Sequence, residues 1–257
     1  MSGATLTEAA PSPGYFGKLP ARGDFVARQL PRSFLEPWDK WLQTAMTASR
    51  QQLGDAWLEH YLVSPVWHFT LSAGICGESA YAGVLMPSVD RVGRYFPLTI
   101  AAPVHQASNL LELVGNEWFE RAEQVGLAGL DEQLEPEEFD ERVKALGLPG
   151  DVSHLSDAAV ASGPAWHYPL TGSANPSSIA SELAGHFLRW RFNNFSLWWS
   201  HGSKHIAPCL LTCQGLPPAE GFAALLAGGW ARWGWCERPL SVGGAPAPTI
   251  KVIEESL

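Results

Sequence analysis

With 257 residues, 46% of them hydrophobic and 17% charged, the chain is long enough to bury a sizeable core without disulfide or metal staples. Its 26 acidic residues outnumber 17 basic ones, for a net charge of −9, which argues against a phosphate-neutralising surface and general nucleic-acid binding and leaves room for a local basic patch. No window of about eighteen apolar residues reads as a membrane span, and residues 1–13 carry neither the basic nor the apolar region of an export signal. The expectation is therefore a cytoplasmic protein, not inserted in a membrane, whose four cysteines (Cys76, Cys209, Cys213 and Cys236) stay reduced.

Residues 1–13 are small and polar with two prolines and read as a disordered lead. The next eighteen residues, Gly14 to Pro31, mix glycines, prolines, aromatics and charges with neither a period of 3.6 nor of 2, and read as a shaped loop. Phe34, Trp38, Trp41, Leu42, Ala45 and Met46 then recur at helical spacing, predicting a helix that starts near Pro37 and stops at Gly54.

Val66 to Ala73, Tyr81 to Met86 and Tyr95 to Val104 read as strands, the last nearly all apolar and so covered on both faces. Asn109, with Glu112 three residues on, predicts a capped helix to Val125 ended by Gly126; Glu135-Pro136 opens another through Leu146. The acidic run Asp131 to Glu141 reads as a solvated helix face or as a docking surface for a basic partner. Asp151 to Ser173 is loop-rich, the best place for a domain boundary if one exists, and Asn175-Pro176 starts a helix bearing Ile179, Leu183, Phe187 and Leu188.

Phe195 to Ser200 and Ile206 to Thr212 form a hairpin candidate, Pro217-Pro218 opens a short helix to Leu226 closed by Gly228-Gly229, and Thr249 to Ile253 is an edge strand or a loose tail. With no internal repeat and no break in composition, residues 14–257 are expected to form a single α/β domain. Its expected architecture is a central mixed sheet sandwiched between helices, a three-layer α/β/α arrangement.

Several catalytic and ligand signatures fail on spacing. Gly14-x-x-Gly17-Lys18 has two residues where a phosphate loop needs four, and Leu19-Pro20 follows where Ser or Thr would hold magnesium. There is no Gly-x-Ser-x-Gly elbow and no Gly-x-Gly-x-x-Gly fingerprint. His201, His205, Cys209 and Cys213 recur every four residues, but Gly202 and Pro208 break any helix that would align them as zinc ligands, and two cysteines four apart on a strand lie about 13 Å apart. Cys76, with His68 upstream, is the remaining nucleophile candidate, and no cofactor is implied.

Two segments stand out chemically. Arg22-Gly23-Asp24 lies inside the shaped loop, where Gly23 permits positive φ and Asp24 can accept loop amides or pair with Arg91 or Arg94. Asp90-Arg-Val-Gly-Arg94 sets two guanidinium forks around a glycine. It reads either as an internal salt-bridge network against the Gly14 to Pro31 loop or as a surface for an acidic or phosphorylated partner. Twelve tryptophans are mainly core material, with Trp198 or Trp199 as a candidate exposed anchor.

The Gly14 to Pro31 segment, Asp90-Arg-Val-Gly-Arg-Tyr-Phe-Pro-Leu98 and Ser196-Leu-Trp-Trp199 together resemble, in order and spacing, the TagF/ImpM family of type VI secretion accessory proteins. The resemblance implies a cytoplasmic, non-enzymatic post-translational repressor that acts with a forkhead-associated (FHA) scaffold protein. The partner-binding candidates, chosen from chemistry and motif position, are Lys18, Arg22, Asp24, Arg91, Arg94, Trp198 and Trp199. Two other readings stand beside this one: a hydrolase using Cys76 or a histidine, and a carbohydrate binder stacking sugars on paired tryptophans.

Overall fold

A computed structural model describes residues 11–104, 109–150 and 176–238. Its centre is one seven-stranded sheet. The strands are β1 (Gly14–Gly17), β2 (Val26–Arg28), β3 (Trp67–Leu71), β4 (Ala80–Met86), β5 (Leu98–Val104), β6 (Phe195–Ser200) and β7 (Cys209–Gln214), in the spatial order β2-β1-β5-β4-β3-β6-β7. Every pairing is antiparallel. The expected mixed sheet of a three-layer α/β/α domain is thus corrected. A strand covered on both faces is apolar throughout whichever way its neighbours run, so its residues do not encode direction.

The shaped loop Gly14 to Pro31 also contains structure that its composition hid, because β1 and β2 are the two arms of an edge hairpin. Glycine is required in β1 for close approach. A Cβ on Gly14 would stand 2.3 Å from the Arg28 carbonyl oxygen, and one on Gly17 (φ +137°) 2.1 Å from that of Pro97.

Helix α1 (Arg32–Leu53) begins five residues before Pro37, with Pro31 at its N-cap and Gly54 (φ +53°) at its end. It and α2 (Trp57–Leu62) pack with α6 (Ala223–Ala227) in a cluster that includes Phe34, Trp38, Phe69, Tyr81 and Trp198. Helices α3 (Glu117–Ala128) and α4 (Pro136–Ala145) belong to a second cluster with Tyr15, Val84, Ile100 and Trp199, against which Leu188 and Phe192 of α5 (Pro176–Phe192) also pack. Alternate residues of β4 and β6 enter opposite clusters, the period-2 consequence of the pleat.

The single helix expected from Asn109 is two elements. Asn109 caps a short 3-10 turn, Leu110–Leu113, and Asn116 caps α3, accepting from the Trp118 amide at 2.9 Å. Gly126 does not end α3; it lies within it, where a Cβ would stand 2.2 Å from the Met86 methyl carbon. The expectations for residues 1–10, 151–175 and 249–253 fall outside the described residues.

Candidate functional site: a loop pair locked by Asp90

Between β4 and β5 the chain turns back through Asp90 to Arg94. The Asp90 amide donates to the Arg94 carbonyl at 3.0 Å and the Gly93 amide to the Asp90 carbonyl at 2.9 Å, with Gly93 at φ +85°. The Asp90 carboxylate sits inside this turn, 3% exposed. Its Oδ1 accepts the amides of Val92 (3.0 Å) and Arg94 (2.8 Å); its Oδ2 accepts Arg94 Nε (2.7 Å) and Lys18 Nζ (2.5 Å). Burial alone would raise its pKa, but the hydrogen bonds from Lys18, from the backbone and side chain of Arg94 and from the Val92 amide outweigh that. They hold the carboxyl well below the usual carboxylate range.

The same turn is tied to the N-terminal hairpin at several further points. Ser88 Oγ donates to the Lys18 carbonyl at 2.7 Å, and the Arg91 amide to the Arg22 carbonyl at 3.0 Å. The Arg94 guanidinium also donates to the Gly23 carbonyl. Beneath them the buried Tyr61 hydroxyl donates to the Ser88 carbonyl and accepts the Ser88 amide, at 2.8 and 2.9 Å. The Lys18 ammonium lies 4.3 Å from the centre of the Phe25 ring, which meets Phe96 edge-on at 4.8 Å. Two loops some seventy residues apart in sequence therefore form one braced surface.

The structure sorts the candidate residues. Lys18 is 3% exposed with its ammonium held by Asp90, so it braces the surface and does not present itself to a partner. Arg22, Asp24, Arg91 and Arg94 reach solvent on the braced face. Arg94 is the link between the alternatives, one nitrogen on Asp90 and another 3.8 Å from the exposed Asp24 carboxylate. Arg22 lies 3.4 Å from Glu137 on α4.

Trp198 and Trp199 are buried, which corrects the expectation that either is an exposed anchor. Trp198 stacks parallel to Trp38 at 6.0 Å and donates its indole N–H to Ser196 Oγ at 2.9 Å; Trp199 meets Phe119 at 4.6 Å in the opposite cluster.

An open cleft of about 370 Å³ runs along the hairpin face, bordered by Arg22, Asp24, Phe25, Val26, Arg28 and Arg91. Sequence reasoning missed Arg28, Phe25 and Val92. Arg28 would have been found from a period-2 reading of Val26 to Arg28 as a strand. Phe25 and Val92 are large apolar residues inside the charged motifs, and both are more than half exposed.

The other constellations stay apart. Cys76 is buried in the α1 cluster and burial pushes its thiol up to about 12, against nucleophilic use. His68 faces the opposite side of the sheet, its Nε2 2.6 Å from Glu123 Oε2 and its ring against Phe119 and Trp199. Among the described residues no group of three or more His, Cys, Asp or Glu side chains could hold a metal ion, and no helix is long and apolar enough to cross a membrane.

Residues 14–146, which span β1 to α4 and include both braced loops, match the TagF N-terminal domain family, described as type VI secretion system-associated. The chain belongs to the TagF family. A crystal structure of PA0076 from Pseudomonas aeruginosa PAO1 superposes with a TM-score of 0.76 at 39% identity, covering 91% of this chain and all of that one. No curated protein matches the chain. The TagF match covers the segments Gly14 to Pro31 and Asp90 to Leu98 that carried the resemblance; Ser196 to Trp199 lies beyond it.

Proposed function

We propose that this TagF-family protein is a non-enzymatic cytoplasmic regulator that represses its type VI secretion system by binding an FHA-domain scaffold and withholding it from assembly. The observation that carries the reading is the Asp90 lock. A buried carboxylate with four donors fixes two polar loops against the sheet and leaves Arg22, Arg91 and Arg94 on a preformed face. Such a face binds without first ordering its own loops, which removes one of the costs of loop-mediated recognition. The raised Cys76 thiol and its separation from His68 weigh against the hydrolase reading. Burial of Trp198 and Trp199 weighs against sugar stacking on that pair.

Isothermal titration with the FHA scaffold encoded by the same organism tests the proposal. Micromolar or tighter binding is expected, together with loss of secretion when the protein is overproduced. No binding by the folded protein would overturn the sequestration mechanism.

A further inference from the structure

We propose that the cleft bordered by Arg22, Arg28 and Arg91 docks an extended, acidic, unphosphorylated segment of the protein's partner. This rests on the reading above that the protein works by binding another protein, and it specifies where and what kind of sequence is bound.

The charge distribution is the first support. Three guanidinium groups border one cleft on a chain whose net charge is −9. They are also available. Among the described residues the Arg91 side chain makes no hydrogen bond or ion pair; Arg22 lies 3.4 Å from the exposed Glu137, and Arg28 lies 3.9 Å from the half-buried Asp140 and donates to the adjacent Ala27 carbonyl at 3.0 Å. Surface pairs this long are readily exchanged for a partner's carboxylates.

Shape is the second support. Strand β2 is an edge of the sheet among the described residues, so the hydrogen-bonding side of Val26–Arg28 away from β1 has no neighbouring strand among them. An extended segment can lie along it. Phe25 (51% exposed) borders the cleft and Val92 (65% exposed) flanks Arg91, offering apolar contact between charges. The face beneath is already braced, so binding requires little ordering.

The observations favour spaced carboxylates over one phosphate. The fully exposed Asp24 carboxylate is part of the lining and would stand against a compact dianion. Single negative charges spread along a chain can meet the three arginines and avoid it.

The test uses the full chain and a fluorescent peptide, Glu-Glu-Leu-Glu-Phe-Glu-Glu, followed by anisotropy. The expected result is saturable binding that weakens at least tenfold as salt rises from about 0.05 to about 0.5 M, since screening shortens the Debye length. Arg22→Glu, Arg28→Glu, Arg91→Glu, with an unchanged near-ultraviolet dichroism spectrum, should lose at least tenfold in affinity, and Asp24→Asn should gain. No binding at low salt, or equal binding by the triple variant, overturns the inference. So does binding of a phosphothreonine peptide where the glutamate peptide fails. The same proteins are then titrated with the FHA scaffold. Peptide binding without scaffold binding removes the repressor mechanism and leaves the cleft. Scaffold binding that survives in the triple variant removes the cleft as its contact and leaves the mechanism.

Discussion

Lys18 and Asp90, 72 positions apart, meet through a 2.5 Å contact between Nζ and Oδ2 at the join of the N-terminal hairpin and the β4–β5 turn, and both are buried. A buried ion pair is weak evidence for stability, because desolvating two charges offsets much of their attraction. It specifies geometry more strongly, since three of the carboxylate's four donors come from its own turn and the fourth, Lys18, draws the hairpin onto that turn.

Asp90→Asn should therefore be worse than removing both charges. The amide can accept at one oxygen only, leaving Lys18 buried beside a neutral side chain and two donors without an acceptor. Lys18→Met with Asp90→Asn should recover part of the loss, because breaking one side of a buried pair costs more than deleting it. Urea denaturation of the two single variants and the double checks this. A double variant destabilised by the full sum of the singles would mean that the pair adds nothing to the fold.

The depressed pKa of Asp90 gives an acid limb with a definite sign. Its stabilising effect is present above the unfolded carboxyl value, near 3.8, and is lost as pH falls from there toward the lower folded value. Thermal denaturation should show melting temperature falling below about pH 4, with a shallower fall in Asp90→Asn. Parallel acid limbs in the two proteins would remove Asp90 from the account.

His68 gives a second, separate pH dependence. Burial lowers its pKa from 6.5, while the hydrogen bond and charge of Glu123 oppose that shift and the nearby His201 adds to it. A lowered histidine favours folding above its unfolded value and loses that contribution as pH drops through the window below about 6.5. Glu123→Gln removes the opposing carboxylate, so the His68 resonance should titrate at lower pH than in wild type. An upward move in the titration would show that Glu123 does not hold the proton on His68.

The sequence disclosed the fold unevenly, for identifiable reasons. The helix ending at Gly54 and the hairpin of β6 and β7 were legible, because apolar spacing and glycine punctuation act locally. Antiparallel direction was not, since strands buried on both faces carry no mark of it. Strand β1 was concealed by its own glycines, which answer to the carbonyls of Arg28 and Pro97, and β2 by its length of three residues. At the site, the charged motifs were visible and the network reading could be written down. That Lys18 is an internal brace depended on a contact across 72 positions, and Arg28 was missed because its short strand was not read as one.

Gly17→Ala isolates the close approach that sets the hairpin against β5. The new Cβ would meet the Pro97 carbonyl oxygen at 2.1 Å, at a φ of +137° that side chains avoid. Backbone strain of this kind costs about 1–3 kcal/mol before the clash is added. The variant should lose at least that in urea denaturation and should weaken any binding that uses the braced face. Wild-type stability would mean that the hairpin can shift away from β5 without cost.

Trp198→Ala against Trp190→Ala separates core tryptophan from surface tryptophan. Trp198 is fully buried, stacked on Trp38 and packed on Phe69 and Trp41, whereas Trp190 on α5 is 64% exposed. Truncating a buried Trp removes both its transfer free energy and the contacts lining the cavity it leaves, about 3–5 kcal/mol. An exposed one away from such packing changes stability by about 0.5 kcal/mol or less. Trp198→Phe should lie between, because the smaller ring keeps apolar contact but leaves Ser196 Oγ without the indole donor. If Trp198→Ala unfolds at the wild-type urea midpoint, the aromatic stack beneath α1 does not hold that helix on the sheet, and the burial argument against Trp198 as a partner anchor fails with it.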